Sequence, residues 1–466
     1  RSRAAWPAAA AAAPQGRTST PAYPLRRPAP RLRRGTARPP HGGRPAPDRP
    51  APSRLPDRTA RSRDPFLRPA WRPICWTTPS ACRYHPVTRT LPGVARLSRA
   101  NRPFDRARPD MALPDRPDRL RLSDRLEIAR VLTGLWQVAD IERHGAPIDP
   151  ETGAGWLAAY AARGFDTFDM ADHYGSAEII AGRLLARGGT PRPLAFTKWC
   201  PAPGPMTDAV VRAGVAERLD RLGVDRVDLL QFHWWSFEHP GWLDALHALA
   251  RLRADGLIAE IGVTNMDAAH LQLALADGIP LLTNQVSFSL VDRRAAGALS
   301  ALCAQTGVRL LAYGTLCGGF LSERWLGQPE PQEIPDWSKM KYKRFIDVAG
   351  GWDAFQGLLA AADAVARRHG VSIANVATRW VLDHPAVAGI IVGARLGERV
   401  HVDDTLRLFG FALDAEDRAR LDDAFAALRP IPGDCGDEYR KPPFLTASGD
   451  LSHHLDAMPL AHPATA

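Results

Sequence analysis

No lysine occurs in the first 197 residues of this 466-residue chain, and five occur in all. Residues 1–110 also lack glutamate, yet hold 24 arginines and half of the 42 prolines. Against 5 aspartates those arginines give the head a formal charge of +19. The remainder, with 36 basic and 45 acidic side chains, carries −9, so the net charge of +10 belongs to the head alone. Few apolar positions recur in the head at helix or strand spacing. Such a segment buries too little apolar surface to offset its chain entropy. Residues 1–110 are therefore expected to be a disordered Arg/Pro-rich extension. Three origins compete: translation from upstream of a start at Met111, an acid-poor transit peptide, or a phosphate-attracting tail around Arg31, Arg33 and Arg34. The first is preferred, because ordinary domain composition begins just after Met111, the first methionine. No nucleic-acid partner is expected.

No run of 18 apolar residues occurs, so no membrane-spanning helix and no membrane partner are expected. Cysteine is scarce. The six are Cys75, Cys82, Cys200, Cys303, Cys317 and Cys435, and none forms a C-x-x-C pair. That excludes a visible zinc spacing or disulfide framework. No metal is expected. A reducing compartment fits, the cytoplasm first, with a chloroplast or mitochondrion the alternative if the head is a transit peptide. G-x-G-x-x-G after the first strand, a P-loop and G-x-S-x-G are all missing, which argues against a doubly wound nucleotide fold.

What is present is a regular alternation of strand-like and helix-like segments from about residue 130. Apolar strand runs are read at Val131–Leu135, Thr167–Asp169, 194–197, Val227–Phe232, Ile258–Val263, Leu281–Val286, Val308–Tyr313 and Ala388–Val392. Between them apolar residues recur every three or four, as in Val211, Val215, Leu219 and Leu222, the helical spacing. Gly223 and Gly256 fall where helices end. Strands alternating with helices form parallel βαβ units, and eight of them close into a (β/α)8 TIM barrel. The barrel domain is bounded at 120–430. Around Ser123-Asp124 a β-hairpin is expected at its N-terminal edge. Residues 317–350 make a long connection after the seventh strand, and 431–466 form a C-terminal arm.

Four of the strands end in polar groups: FDMADHYG, LAFTKW, DLLQFHWW and IGVTN. Polar groups at the C-terminal ends of barrel strands are where such barrels place their active sites. Carbonyl reduction needs a hydride on carbon and a proton on oxygen. A phenol supplies the proton if a nearby ammonium lowers its pKa from about 10. Tyr174 and Lys198 would form such a couple. Asp169 would hold Lys198, and His233 would orient the substrate oxygen. Taken singly, each has a packing or capping reading. Their appearance together at successive strand ends favours chemistry.

The order D-x-A-x-x-Y-G, T-K, Q-x-H-W and G-V-[ST]-N over residues 128–430 resembles the aldo/keto reductase superfamily. In that resemblance Tyr174 is the proton donor, Lys198 and Asp169 its supporting pair, and His233 the residue that orients the substrate. It further implies a nicotinamide cofactor. Thr264, Asn265 and Gln285 match the carboxamide-binding positions, with Thr264 standing for the usual Ser. Tyr313 matches the aromatic that stacks on the nicotinamide ring. Gly314, Leu316 and Gly318 fall where the loop meets the pyrophosphate, Gly314 replacing a Ser. Gly393, Ala394, Arg395 and Arg399 match the segment that holds the adenosine end. Val402 and Asp403 replace the usual Glu-Asn pair, so the adenine contact at Asp403 is altered. Arginine suits a 2′-phosphate, which favours NADPH, with NADH the alternative. Trp136, Trp199, Trp234 and Trp235 gather near the proposed catalytic ends and are expected to line the substrate pocket.

The resulting expectation is an NADPH-dependent reductase interconverting an aldehyde, ketone or sugar carbonyl and its alcohol. A NAD-linked aldose dehydrogenase and a cofactor-binding regulatory subunit, like the potassium-channel β subunits, are the alternatives. Substrate identity, direction and oligomeric state are left open.

Overall fold

The computed structural model describes residues 113–139 and 147–440, apart from residues 235, 335 and 399. The expected disorder of residues 1–110, and most of the expected arm, lie outside these. Strands β1 (Arg119–Arg121) and β2 (Glu127–Ala129) pair antiparallel, with Leu120 opposite Ile128. This is the expected hairpin. It buries Leu126 and Ile128 against Leu132, Phe196, Leu229, Leu311 and Ala388, and so plugs one mouth of the barrel.

The barrel begins with β3 (Val131–Gly134), α1 (Pro150–Ala162), β4 (Thr167–Asp169), α2 (Ala177–Ala186), β5 (Leu194–Trp199) and α3 (Asp208–Leu222). It continues with β6 (Val227–His233), α4 (Gly241–Ala254), β7 (Ile258–Thr264), α5 (Ala268–Ala276), β8 (Leu281–Ser287), α6 (Ala298–Thr306) and β9 (Arg309–Tyr313). Then come α7 (Trp337–Val348), α8 (Trp352–His369), α9 (Ile373–Leu382) and the last strand, β10 (Val387–Gly393). After it follow α10 (Val402–Leu406), α11 (Ala415–Ala426) and α12 (Asp437–Arg440). The strands β3 to β10 form one closed parallel barrel, in which β10 returns to pair with β3. Arg130 fastens that seam. Its guanidinium donates to the carbonyls of Leu382, Val387 and Ala388, 2.8–3.1 Å away.

Helix ends follow the local sequence. Asp149 accepts from the Thr152 amide, and Asp267 from the His270 amide, each 2.9 Å, so N-terminal donors left over by helix geometry are satisfied. Gly223 closes α3 in the left-handed region at φ 61°, where a Cβ is unfavourable. Among the described residues, no helix is long and apolar enough to cross a membrane.

Two segments are more built than the sequence suggests. The connection after β9 contains α7, capped by Asp336 through the Lys339 amide at 3.0 Å. Its Tyr342, Phe345 and Ile346 join a second apolar cluster with Phe320, Trp352 and Phe355, outside the barrel. Residues 431–440, in turn, fold back onto the catalytic face.

Candidate active site

Side chains alternate inward and outward along a strand, so the polar strand ends converge by parity. Lys198 is in register with Gln231, and His233 with Thr264, which is in register with Gln285. Their hub is Asp169. Its Oδ2 lies 2.7 Å from the Lys198 ammonium, which also donates to the Met170 carbonyl at 3.0 Å. Its Oδ1 accepts from the amides of Gln231 (3.0 Å) and Gln285 (2.8 Å). Both ions are buried. A buried pair holds only when its geometry is good and the remaining lone pairs are satisfied, and here both oxygens are.

Tyr174 follows β4 in the turn that Gly175 ends at φ 58°. The Lys198 Nζ lies 5.3 Å from the centre of its ring. Trp136 packs edge-on to Tyr174 at 5.0 Å, and His173 at 4.9 Å. His173 is steadied by Asp172, 2.8 Å from its Nδ1, and its ring is 6.4 Å from that of His233. Burial alone would raise the Asp172 carboxyl, but His173, the Cys200 amide and the Arg218 charge hold it below its usual range. Below this layer Glu178 is fully buried between Arg218 (3.0 Å), Arg221 (2.7 Å) and the Thr197 hydroxyl (2.6 Å).

On the other side, Asn265 adopts φ 55° at the end of β7, a conformation that asparagine tolerates better than most residues. Its Nδ2 is 3.4 Å from His233 Nε2, and its Oδ1 accepts from the Tyr313 hydroxyl at 2.9 Å. Thr264 is buried beside it. Its Oγ1 has no hydrogen-bond partner among the described residues, which a buried hydroxyl ordinarily finds.

A model of the Aldo/keto reductase family matches residues 130–426. The chain belongs to the aldo/keto reductase family. That family comprises oxidoreductases acting on carbonyl and alcohol groups. The aldo-keto reductase of Mycobacterium sp. (strain JLS) is 30% identical over 305 residues, 64% of this chain and 90% of that protein. Flagellar radial spoke protein 5 of Chlamydomonas reinhardtii is 33% identical over 177 residues, but the match spans only 34% of this chain and 33% of that protein. The solved glycerol dehydrogenase from Gluconobacter oxydans shares the fold, with a TM-score of 0.56 at 23% identity, over 68% of this chain and 98% of its own.

Against the aldo/keto reductase expectation, the structure gathers Asp169, Tyr174, Lys198, His233, Thr264, Asn265, Gln285, Tyr313 and Trp136 on one face. It engages some of them differently. The Gln285 amide nitrogen is committed inward to Asp169 and to Gln231 Oε1 (2.9 Å). The Tyr313 hydroxyl is bound by neighbours from α7 and the arm: Lys341 Nζ at 3.2 Å and the Tyr439 hydroxyl at 3.0 Å. Gly314 and Gly318 have φ 70° and 64° and are roofed by Tyr342; a Cβ on Gly314 would lie 2.4 Å from the Tyr342 hydroxyl. Leu316 sits between them, partly buried. Gly393 closes against Gln137, with no room for a Cβ, and Ala394 is buried and donates to the Gly134 carbonyl at 3.0 Å.

The adenosine-end residues diverge. Arg395 is 45% exposed and pairs with Asp336 at 3.1 Å. Asp403 turns outward to Arg163 at 2.8 Å, both exposed, so it is drawn to a surface ion pair. Arg399 and Trp235 lie outside the described residues. Trp199 and Trp234 are not brought to the pocket. Each follows an inward residue, so parity turns it outward. Trp199 packs on α3, where a Cβ on Gly214 would meet its ring at 2.4 Å. Trp234 stacks on Phe232 at 5.7 Å and donates to the Ser236 carbonyl.

Several site residues were missed from the sequence. Gln231 had a signal, being two residues before His233 on the same face. The others are His173, Lys341, Glu438, Tyr439 and Arg440. Arg440 donates to the Asn265 carbonyl, lies 3.6 Å from Asp267 and stacks on the Phe237 ring at 4.4 Å.

Proposed function

We propose that this chain is an NADPH-dependent oxidoreductase that interconverts a carbonyl compound and its alcohol, with Tyr174 as the proton donor. The observation that carries the reading is the Lys198 ammonium, 5.3 Å from the Tyr174 ring and fixed by Asp169 at 2.7 Å. A cation so placed favours the phenolate and readies the hydroxyl to release its proton. Asp169 holds the ammonium rather than acting on substrate. His233 and Tyr174 flank the place where the substrate oxygen would sit, and His233 donates to that oxygen.

The residues present fit a nicotinamide cofactor. The buried Thr264 hydroxyl needs a partner, and the Asn265 side chain stands next to it with both a donor and an acceptor. Tyr313 stands at the end of β9, where its ring would stack on the nicotinamide. When bound, the cofactor supplies the hydride that the carbonyl carbon receives. The choice of NADPH rests on Arg395, a partly exposed guanidinium after β10, with Arg399 in the same segment.

The test is turnover. The purified chain, given NADPH or NADH and a panel of aldehydes, ketones and aldoses, should consume the reduced cofactor with at least one class. Tyr174→Phe should abolish most of that rate while binding the cofactor as before. Tight cofactor binding with no turnover across the panel would overturn the reading.

A further inference from the structure

The arm is a built wall of the site. Arg294, buried between β8 and α6, reaches Asp292 at 2.8 Å, Glu438 at 3.0 Å and the Asp434 carbonyl at 2.8 Å. Glu438 itself is fully buried and accepts from the Gly436 amide at 3.0 Å. Gly436 approaches the Asn265 carbonyl so closely that a Cβ on it would lie 2.2 Å away. These anchors fix Tyr439, whose ring stands edge-on to His233 at 6.3 Å.

Packed against Tyr439 is Lys341 of α7, only 8% exposed. Its ammonium touches the hydroxyls of Tyr313 and Tyr439. It lies over the rings of Tyr439 (4.3 Å), Tyr313 (4.7 Å) and Tyr342 (5.5 Å). The other buried cations around the site each have a carboxylate within 4.0 Å: Lys198 has Asp169, Arg294 has Asp292 and Glu438, and Arg440 has Asp267 and Asp437. Lys341 has none among the described residues. Burial pushes the Tyr313 hydroxyl well above its usual pKa, and Tyr439 and Glu438 push it further, so that this partner stays neutral. A buried cation without a counterion is costly unless hydrogen bonds and ring faces compensate it. Such a site is poised to gain by taking an anion. Lys341 is also near the chemistry: through the Tyr439 ring it is within about 11 Å of the His233 ring, the span of a small substrate.

We propose that Lys341, presented by the aromatic wall of Tyr313, Tyr342 and Tyr439, selects a carbonyl substrate that carries an anionic group, a carboxylate or a phosphate, at the end away from the reacting carbon. This rests on the reductase reading and names the substrate class of that site. Lys341 is a specificity residue, and it takes no part in the hydride or proton transfer.

The experiment compares 4-carboxybenzaldehyde with 4-methylbenzaldehyde on the full chain with NADPH. The wild type should prefer the carboxylated aldehyde in kcat/KM. In Lys341→Met the ratio of the two should fall by about tenfold or more, the weight of one charge-assisted contact, and Lys341→Arg should keep most of it. Benzoate should bind the wild type more tightly than benzamide by calorimetry, a difference that shrinks in Lys341→Met. An unchanged ratio would overturn the proposal. So would a loss confined to NADPH affinity, which would assign the ammonium to a cofactor phosphate. If the wild type turns over neither aldehyde but still prefers benzoate, the reductase reading fails while the anion site stands. If benzoate shows no preference either, the anion site fails too.

Discussion

Lys198 and Asp169 are 2.7 Å apart, and both ions are buried. Removing one partner strands the other as a buried, unpaired charge. Asp169→Leu should therefore destabilise the fold by about 3–5 kcal/mol in urea unfolding. The double variant with Lys198→Met should recover much of that loss, because no charge is then left unpaired. A double variant as unstable as the sum of the two singles would show that the pair is held for other reasons.

Tyr174→Phe keeps the ring that packs on Trp136 and His173 and removes only the hydroxyl. Loss of a positioned proton donor costs about 10²–10⁴-fold in rate. The expected outcome is a fall of that size in kcat, with the cofactor Kd, read by fluorescence quenching, close to that of the parent. A parent-like rate would refute Tyr174 as donor.

Arg395 and Asp336 should act in opposite directions on cofactor choice. Arg395→Ala removes a guanidinium suited to a 2′-phosphate and should weaken NADPH binding by roughly 1.5–3 kcal/mol, with little change for NADH. Asp336→Asn frees Arg395 from its ion pair and should strengthen NADPH binding. Equal effects on both cofactors would assign Arg395 to the surface.

Gly314 and Gly357 make a contrasting pair. At Gly314, φ is 70° and Tyr342 already fills the space, so Gly314→Ala should cost about 1–3 kcal/mol or more. Gly357 lies within α8 with nothing near its missing Cβ, so Gly357→Ala should stabilise by about 1 kcal/mol. Urea midpoints of both variants check this.

The acid limb of stability should depend on Asp267. Burial opposes its charge, but hydrogen bonds from His270, with the His270 and Arg440 charges, bring its pKa down to about 2, below the usual carboxylate range. A depressed carboxylate contributes stability that is fully present above the unfolded pKa and is lost as pH falls through the folded one. The contribution should thus fade between about pH 5 and 2. Asp267→Asn should flatten that part of the stability profile. An unchanged acid limb would mean that Asp267 keeps an ordinary pKa.

The barrel was legible because its strands are short apolar runs with polar ends, separated by helical repeats. Asp169, Lys198 and His233 were legible because one parity carries all of them inward. The same parity would have excluded Trp199 and Trp234, which proximity to Lys198 and His233 suggested. The arm was not legible as structure. PGDCGDEYR has hardly an apolar residue, and it is buried by the ion pairs of Glu438 with Arg294 and of Arg440 with Asp267, partners about 140 and 170 residues earlier. Hydropathy does not register burial of that kind. Helix α7 was hidden for a related reason, since three of the chain's five lysines lie on it among its aromatics.

The seam between β3 and β10 fixes when this protein can finish folding. Arg130 must wait for carbonyls 252 to 258 residues further along the chain. Contacts of such long separation slow folding, because loop closure precedes their reward. Until β10 is synthesised, β3 and β9 are open strand edges on a nearly complete sheet, the kind that invites pairing between chains. The wall that holds Tyr439 emerges later still, so a nascent chain can close its barrel before it has a finished site.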